Sequence, residues 1–292
     1  MHQIIPSNQR NQIHRTMKSL LGSLLIFLLA IATSNAQIVS PLWQTEKVLK
    51  VPESVLYDAG QNCIFVSNVN GKPAEKNGEG FITKLSTDGK VIDLKFATGL
   101  NAPKGVAIYQ NKLYVSDIDR LAEISLSDPH KIKFYDAPDA QFLNDVAIGK
   151  DGVVYVSDSG TGRIYKLENG VFGIWGKVAP LAGPNGLLCE KGHLLIGTND
   201  GIFSADPVSG ELEKLVSLEG GIDGLKAVGN GKYIVSDWKG KVQVVSATTQ
   251  TLLFDTTDKN INAADLEFIP SKNVLLVPTF FDNCVMAYKI KL

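Results

Sequence analysis

The chain has too few cysteine and histidine residues for several common kinds of site. Its three cysteines include no Cys-x-x-Cys pair, so neither a zinc site nor a dithiol redox pair is predicted. Two of its four histidines fall within the first 36 residues. The other two, His130 and His193, lie in predicted outer turns, so Ser-His-Asp catalysis is not expected. A Gly-x-Ser-x-Gly nucleophile motif and a phosphate-binding Gly-x-x-x-x-Gly-Lys-Ser/Thr motif are both missing.

Charge of one sign is also missing. The chain has 29 basic and 30 acidic residues, with a formal net charge of −1, and the basic residues form no stripe or tail. Proteins that bind nucleic acid usually concentrate Lys and Arg on one face. We therefore expect no nucleic-acid partner.

The first 36 residues have the pattern of a secretory signal peptide. They contain basic residues and no acid, then an apolar run from Leu20 to Ile31, then Ser34-Asn35-Ala36 before Gln37. The apolar run is too short for a typical membrane span. We predict cleavage after Ala36, a secreted or periplasmic protein, and no stable membrane insertion afterwards. An oxidising compartment would allow one disulfide, although buried core thiols are the simpler interpretation of the three cysteines: Cys63, Cys189 and Cys284.

A short pattern recurs six times, each time as a strand-like segment such as Asn144-Asp-Val-Ala-Ile. The copies are 38 to 41 residues apart, except for a first interval of 51. A period near 40 with strand content is typical of a β-propeller, in which equivalent positions meet around one axis. The first positions of the six copies should therefore form one ring: Glu53, Lys104, Asn144, Asn185, Asp223 and Ala264.

Each repeat also contains the signals of four short strands separated by polar turns. The sixth repeat ends after its third strand, and Thr45–Val51 is expected to supply the missing one. The prediction is an all-β, six-bladed β-propeller of four-stranded blades, formed by residues 37–292 as a single domain and closed by an N-terminal strand. The recurring Asp residues that end the second strands, Asp117, Asp158 and Asp237, are expected to bond turn backbone rather than to act as catalytic acids.

Four of the six ring positions carry oxygen donors, namely Glu53, Asn144, Asn185 and Asp223. Two carboxylates and two amides, without Cys or His, are a donor set for a hard divalent cation. Ca²⁺ is the expected ion, with Mg²⁺, Mn²⁺ or Zn²⁺ as alternatives. The competing interpretation is that each residue is only a local turn cap.

Four segments of the chain resemble the SMP-30/gluconolactonase (regucalcin-like) family of six-bladed propellers. They are Pro52-Glu53-Ser-Val-Leu-Tyr-Asp, Phe142-Leu-Asn-Asp145, Pro184-Asn-Gly-Leu187 and Ile222-Asp-Gly224. The resemblance covers essentially all of residues 37–292 and implies the same four metal ligands. It also implies metal-assisted hydrolysis of a lactone or related ester, with Asp223 as general base or as the group that orients the attacking water.

The chain departs from that family just before Asn144, where sugar-lactone hydrolases tend to carry an Arg. Here the neighbours are Gln141-Phe-Leu143, which indicates a less polar pocket. Lys104 and Asn144 are the predicted substrate contacts; Lys104 would bind an anionic group or form a structural ion pair with Glu53. The polar insertion Asn70–Gly80 is either a lid or a mobile surface loop, and Trp238 is either a rim residue or blade packing.

Two other functions fit a propeller of this kind. One is a non-enzymatic binding propeller, resembling NHL-repeat proteins, with a protein or carbohydrate partner. The other keeps the cation as a purely structural ion. A binding propeller does not need Glu, Asn, Asn and Asp at the equivalent position of its repeats, so the hydrolase is favoured over the first alternative. The sequence leaves the oligomeric state open.

Overall fold

The computed structural model describes residues 38–292 and contains 24 β-strands, arranged as six four-stranded antiparallel sheets. The first blade consists of β2 (Pro52–Asp58), β3 (Cys63–Asn68), β4 (Gly80–Ser86) and β5 (Val91–Leu100). The second consists of β6 (Pro103–Tyr109), β7 (Lys112–Asp117), β8 (Arg120–Ser125) and β9 (Ile132–Asp136). The third consists of β10 (Leu143–Ile148), β11 (Val154–Asp158), β12 (Arg163–Glu168) and β13 (Val171–Ile174).

The fourth blade consists of β14 (Leu187–Glu190), β15 (His193–Thr198), β16 (Gly201–Ala205) and β17 (Leu212–Ser217). The fifth consists of β18 (Leu225–Gly229), β19 (Lys232–Ser236), β20 (Lys241–Val245) and β21 (Gln250–Asp255). The sixth blade contains β22 (Glu267–Ile269), β23 (Val274–Pro278), β24 (Val285–Lys291) and β1 (Ile38–Gln44). Three short 3-10 helices also occur: Thr257–Lys259, Pro270–Lys272 and Phe280–Asp282. The predicted six-bladed propeller is confirmed.

An N-terminal strand closes the ring, but the segment predicted for it is wrong. Strand β1 (Ile38–Gln44) pairs antiparallel with β24 and completes the sixth blade, with a bulge after Pro41 that suits an edge strand. The predicted segment Thr45–Val51 is instead a connection from β1 to β2. In that connection Leu49 is fully buried and Val51 has a left-handed backbone (φ 55°), so the chain turns inward there.

The core lies between the blades. Six of the seven apolar clusters in the described residues lie between neighbouring blades, one at each interface; for example, Phe65 of the first blade packs in one cluster with Val106 of the second. The cluster that joins the sixth blade to the first contains Val285 and Val55, with Trp43 of β1 packed against it. Ring closure therefore buries apolar surface as well as pairing strands.

Residues 38–291 form one compact unit. The predicted signal peptide, residues 1–36, lies outside the described residues. Within residues 38–292 no helix combines the length and apolar character that a membrane crossing needs. All three cysteines are free thiols, and Cys63 and Cys284 are buried.

Candidate functional site

All six ring positions lie at or just before the start of the innermost strand of a blade. In the first three blades a β-bulge falls at this point, between Pro52 and Val55, Pro103 and Val106, and Leu143 and Val146. A bulge changes the direction of a side chain relative to the regular pleat. In the other three blades the ring residue precedes the paired strand, and its N–H is fixed by a backbone hydrogen bond, as for Asp223 N to Ser236 O (2.8 Å).

Serines of the second strands hold the ring backbone in place. Ser67, Ser157 and Ser236 each accept a hydrogen bond from the N–H of the residue after a ring position, at 2.9 Å. The Ser236 hydroxyl also donates to Ala264 O in the next blade at 2.8 Å, and Ser116 donates to Asn144 O in the same way. The recurring Val-Ser-Asp strands therefore tie neighbouring blades together at the ring.

Two of the predicted ligands are in direct contact. The Asn185 side chain donates from Nδ2 to Asp223 Oδ1 at 2.6 Å, which leaves Asn185 Oδ1 and Asp223 Oδ2 buried without a protein partner. Asn144 donates from Nδ2 to Ser159 Oγ at 3.2 Å, so its amide oxygen is the atom available to a ligand. Three successive blades thus each contribute at the ring a side-chain oxygen that accepts no hydrogen bond from the protein. We call the region around the ring residues the channel mouth.

Glu53 completes the set from the first blade. It is buried and its Oε2 has no partner. Burial raises its pKa well above the usual value, and repulsion from Asp223 and Asp265 adds to this, while Lys104 opposes it. Burial likewise raises the pKa of Asp223 to about 7, with repulsion from Asp265 as the next cause. The two carboxylates therefore lack a neutralising partner, which is the electrostatic condition that a bound cation relieves.

Two aspartates that follow ring residues were not among the predicted site residues. Asp265 is buried; its Oδ2 accepts from Ser54 Oγ at 2.5 Å and its Oδ1 has no partner. Asp145 uses both oxygens, accepting from Val146 N and Leu187 N at 2.6 Å each. The sequence signal was present, because both follow the first residue of a repeat copy. Asp265 adds a third carboxylate to the mouth, whereas Asp145 ties the third blade to the fourth.

A lysine and a further acid lie near these aspartates. Burial acts against the charge of Lys226, but the carboxylates of Asp265, Glu267 and Asp145 outweigh it and raise the pKa of the lysine. Burial raises the pKa of Glu267 to about 7, although the Lys226 charge lowers it. The charges inside the propeller are therefore mainly acidic, with Lys226 and Lys104 as the cations that act on them.

The donor atoms fit a hard divalent cation. Four of the six buried side-chain polar atoms without a partner in the described structure lie at this mouth: Glu53 Oε2, Asn185 Oδ1, Asp223 Oδ2 and Asp265 Oδ1. No three His, Cys, Asp or Glu side chains within residues 38–292 form a group that could hold a metal ion by themselves. A cation at the ring would therefore depend on the amide oxygens of Asn144 and Asn185 together with the carboxylates.

Lys104 holds the insertion Asn70–Gly80. Its ammonium donates to Pro73 O at 2.8 Å and to Ala102 O at 3.1 Å, lies 4.2 Å from the centroid of the Phe142 ring, and the residue is 1 % exposed. Burial lowers its pKa to about 8, although the charge of Glu53 opposes this. No carboxylate lies within ion-pair distance of Lys104 in the described part of the chain. Its role as a substrate contact stays a prediction.

The insertion itself crosses from the first blade to the second. Gly78 N donates to Asn101 Oδ1 at 3.2 Å, and Lys76 forms a salt bridge with Asp119. Together with the bond from Lys104 to Pro73, these contacts fix the insertion at three points. It therefore lies beside the ring position of the second blade.

The substitution Lys104→Met tests what this lysine does. We expect a lower Tm, because two carbonyl oxygens lose their donor and Glu53 loses its nearest counter-charge. Limited proteolysis should cut the insertion faster in the variant, since the tether to Pro73 is gone. KM for a neutral lactone should stay unchanged. A rise in KM confined to anionic lactones, with Tm and proteolysis unaltered, would contradict the tether and assign Lys104 to substrate binding.

The aspartates at the ends of the second strands bond backbone, as predicted. Asp117 accepts from Asn101 N and Ala102 N at 2.8 Å each, and Asp158 accepts from Phe142 N at 2.9 Å. Asp237 accepts from the N–H groups of its own turn. These acids fix the loops that lead into or flank the ring. The two histidines of the described chain, His130 and His193, are exposed and lie away from the ring.

Surface cavities do not locate this site. A groove of about 900 Å³ lies between the fourth and fifth blades and is lined by charged residues such as Lys214, Lys241 and Asp255. A second cavity of about 240 Å³ lies between the third and fourth blades, beside Cys189. Neither is lined by a ring residue. Burial raises the pKa of the Cys189 thiol to about 12, so this cysteine is a poor nucleophile.

No protein-family model matches the chain, and no curated protein matches it. Solved structures do share its fold. A gluconolactonase from Xanthomonas campestris superposes with a TM-score of 0.65 at 16 % identity, covering 88 % of this chain and 91 % of that one. An inactive histidine variant of virginiamycin B lyase from Staphylococcus aureus, bound to quinupristin, gives a TM-score of 0.60 at 14 % identity, covering 87 % and 99 %.

A streptogramin B lyase gives a TM-score of 0.61 at 12 % identity and covers 87 % of this chain and 98 % of that one. At these identities the likeness shows a shared propeller fold. It agrees with the gluconolactonase-like pattern that the repeats predicted, and it leaves the chemistry to be argued from the residues at the ring.

Proposed function

We propose that this protein is a divalent-metal-dependent hydrolase that opens a small lactone or related ester. The observation that carries the proposal is the set of buried, unpartnered oxygen atoms at the channel mouth, three of which belong to Glu53, Asn185 and Asp223. Buried polar atoms in native proteins are normally paired. An unpaired group of this composition at one place is best explained by a ligand that binds there.

Glu53, Asn144, Asn185 and Asp223 would hold the cation, and Ca²⁺ is the expected ion. When bound, the cation supplies Lewis-acid polarisation of the lactone carbonyl and favours deprotonation of water. The residues of the chain supply the rest. Asn185 fixes the Asp223 carboxylate through Oδ1, which leaves Oδ2 without a protein partner.

Asp223 is the proposed general base. Burial raises the pKa of this carboxylate to about 7 in the cation-free protein, and a bound cation would keep it ionised and able to accept a proton. The oxygen of the attacking water bonds to the carbonyl carbon while one water proton moves to Asp223 Oδ2. The bond from that carbon to the ring oxygen then breaks, and the leaving oxygen takes the proton back from Asp223. The product is a hydroxycarboxylic acid, and Asp223 is again ionised.

A histidine-dependent reaction is not proposed. The inactive variant of virginiamycin B lyase in the comparison lacks a histidine, but His130 and His193 of this chain are exposed and neither occupies a ring position. The carboxylate-and-amide ring favours hydrolysis instead. We further propose that the protein acts outside the cytoplasm, because residues 1–36 have the pattern of a cleavable signal peptide.

Hydrolysis of a lactone panel by residues 37–292 tests the proposal. The panel pairs five- and six-membered lactones with and without hydroxyl groups, and acid release is followed at constant pH with millimolar Ca²⁺. We expect turnover of at least one class and weaker turnover of sugar lactones, because the residues just before Asn144, Gln141–Leu143, include no Arg. Failure with every lactone and ester, alongside tight binding of a protein or carbohydrate, would replace the hydrolase with a binding propeller.

A further inference from the structure

Two large aromatic side chains are exposed beside one another on the propeller. Trp238 is 44 % exposed and Phe281 is 57 % exposed, with ring centroids 6.0 Å apart and nearly perpendicular planes. Phe280, which is 3 % exposed, contacts both from beneath, at 5.5 Å from Trp238 and 4.8 Å from Phe281. Exposed apolar surface that is held in a fixed shape commonly marks a binding site.

This aromatic pair lies at the channel mouth. Phe280 packs in one apolar cluster with Ala264, the sixth ring position. Trp238 O accepts from Asn262 Nδ2 at 2.9 Å, and Asn262 belongs to the segment that leads into Ala264. The residue before Trp238, Asp237, is close enough for its charge to raise the pKa of Asp223. The pair therefore lies between the ring residues of the fifth and first blades.

The backbone at this side of the mouth is strained. Left-handed backbone at a β-branched or aromatic residue costs on the order of 1–3 kcal/mol. Among the described residues only Val51 (φ 55°), Ile118 (φ 64°) and Phe280 (φ 50°) are of these types, since the other non-glycine cases are Asn, Gln or Lys. All three lie in or against the same cluster, which also contains Val69 and Ala102. Such strain persists only where the surrounding packing imposes it, and it is concentrated at binding and active sites.

The mouth is consequently two-sided. Asn144, Asn185 and Asp223 form a polar side, whereas the cluster around Phe280 forms an apolar side that ends in Trp238 and Phe281 at the surface. Another exposed aromatic residue, Phe134, is covered by the Arg120 guanidinium at 3.9 Å. No cation covers Trp238 or Phe281 within residues 38–292. Their faces are open to a ligand.

We propose that Trp238 and Phe281 bind an aromatic or alkyl group that the substrate carries next to its ester ring. The proposal rests on the hydrolase function proposed above and specifies its substrate class as apolar-substituted lactones. The aromatic faces give a planar or aliphatic group a contact that a sugar hydroxyl cannot make. The polar side of the mouth then receives the carbonyl end of the same molecule.

A matched pair of substrates isolates this contact. δ-Valerolactone and its phenyl-substituted analogue share one ester ring and one type of leaving group, so they differ only in the apolar substituent. In Trp238→Ala and Phe281→Ala we expect kcat/KM for the phenyl lactone to fall about tenfold each, mainly through KM. Turnover of δ-valerolactone should stay within about twofold. Phe134→Ala, which removes an exposed aromatic on an outer strand, should leave both substrates unaffected.

A binding measurement separates this proposal from the hydrolase itself. Trp238 is the exposed tryptophan of the described chain, since Trp175 is buried and Trp43 packs against a core cluster. The phenyl-substituted lactam, which has no ester to cleave, should quench its fluorescence, and Trp238→Phe should remove that quenching. Quenching without turnover of any lactone would keep the aromatic site and overturn the hydrolase. Equal losses of kcat/KM for both lactones in Trp238→Ala and Phe281→Ala, or no quenching by the lactam, would contradict the aromatic site. Neither result would decide whether the protein is a hydrolase.

Discussion

Replacing Asp223 by Asn should reduce lactone turnover by about 1,000-fold, the middle of the range for losing a general base. The substitution keeps the size and the planar shape of the side chain, so the packing around Asn185 is preserved. It removes the carboxylate that would accept the proton from water and that would neutralise a bound cation. The measurement is kcat/KM with the best lactone of the panel at saturating Ca²⁺.

The stability of the same variant separates this result from simple unfolding. The pKa of Asp223 is raised from 3.8 to about 7 in the folded, cation-free protein, so between those pH values the unfolded chain releases the proton first. Wild-type stability therefore falls as the pH rises through that window. The Asn variant has no carboxylate to titrate at this position and so does not lose stability in this way. Its Tm should exceed that of the wild-type protein at pH 8 in EDTA, and the two Tm values should converge near pH 4. Lower activity with higher apo-stability is not what a damaged fold produces.

Asp200→Asn is the matched control for Asp223→Asn. Asp200 is an exposed acid that pairs with Lys214 at 3.2 Å on the fourth blade, and surface pairs of this kind contribute about 0–1 kcal/mol. We expect wild-type turnover in this variant. Unchanged turnover in Asp223→Asn would show that Asp223 is not the general base, whether or not a cation binds.

The fold was predictable because a propeller repeats one pattern. Six copies with strand content and a period near 40 allow few other architectures, and the open sixth repeat required a strand from the N-terminal end. The sequence did not decide which N-terminal segment that was. Thr45–Val51 and Ile38–Gln44 both contain apolar residues; the second pairs with β24, while the first connects to β2 and buries Leu49 in the cluster between the sixth and first blades.

The candidate site was predictable only in part. Repeat phase identified the residues at the ring, and the contact between Asn185 and Asp223 shows that two of them do meet. The position of a residue within its repeat gives no information on its partners in other blades. Asp265 was therefore missed, and the hydrogen bond from Lys104 to Pro73 was not predicted. Those contacts depend on bulges and on how neighbouring blades pack. The strained apolar side of the mouth had no sequence signal, because positive φ at Val51 or Phe280 is imposed by tertiary packing.

The balance of charge inside the propeller supports the proposed cation. Glu53, Asp223 and Asp265 each have a raised pKa, burial is the first cause in every case, and each repels at least one of the others. Lys226 and Lys104 offset part of this repulsion. Protonation or a bound cation must supply the rest, since buried like charges are costly. Near neutral pH the second route leaves Asp223 ionised and able to act as a base.

Removal and return of the cation should therefore have a large effect on both stability and turnover. After EDTA treatment we expect hydrolysis to fall to the uncatalysed level. Titration with Ca²⁺ should then show heat from a single site and restore turnover in proportion to occupancy. At 100 times the Kd, a cation that binds only the folded state adds about 2.7 kcal/mol, which is a Tm increase of roughly 5–10 °C for a domain of this size. Mg²⁺, Mn²⁺ and Zn²⁺ titrations would rank the alternatives.

Glu53→Gln shows whether that cation occupies the ring. The substitution keeps an oxygen donor but removes one of the charges that attract the ion, so the Kd should rise at least about tenfold and the Tm increase should shrink with it. If the heat of Ca²⁺ binding and the Tm increase are the same in Glu53→Gln as in the wild-type protein, the ion binds elsewhere on the protein. Binding with no turnover of any lactone would make the ion structural. No binding at all would contradict the ring site. The unpaired carboxylates of Glu53 and Asp223 would then have to be protonated, which predicts a cation-free protein whose stability is greatest in mildly acidic solution.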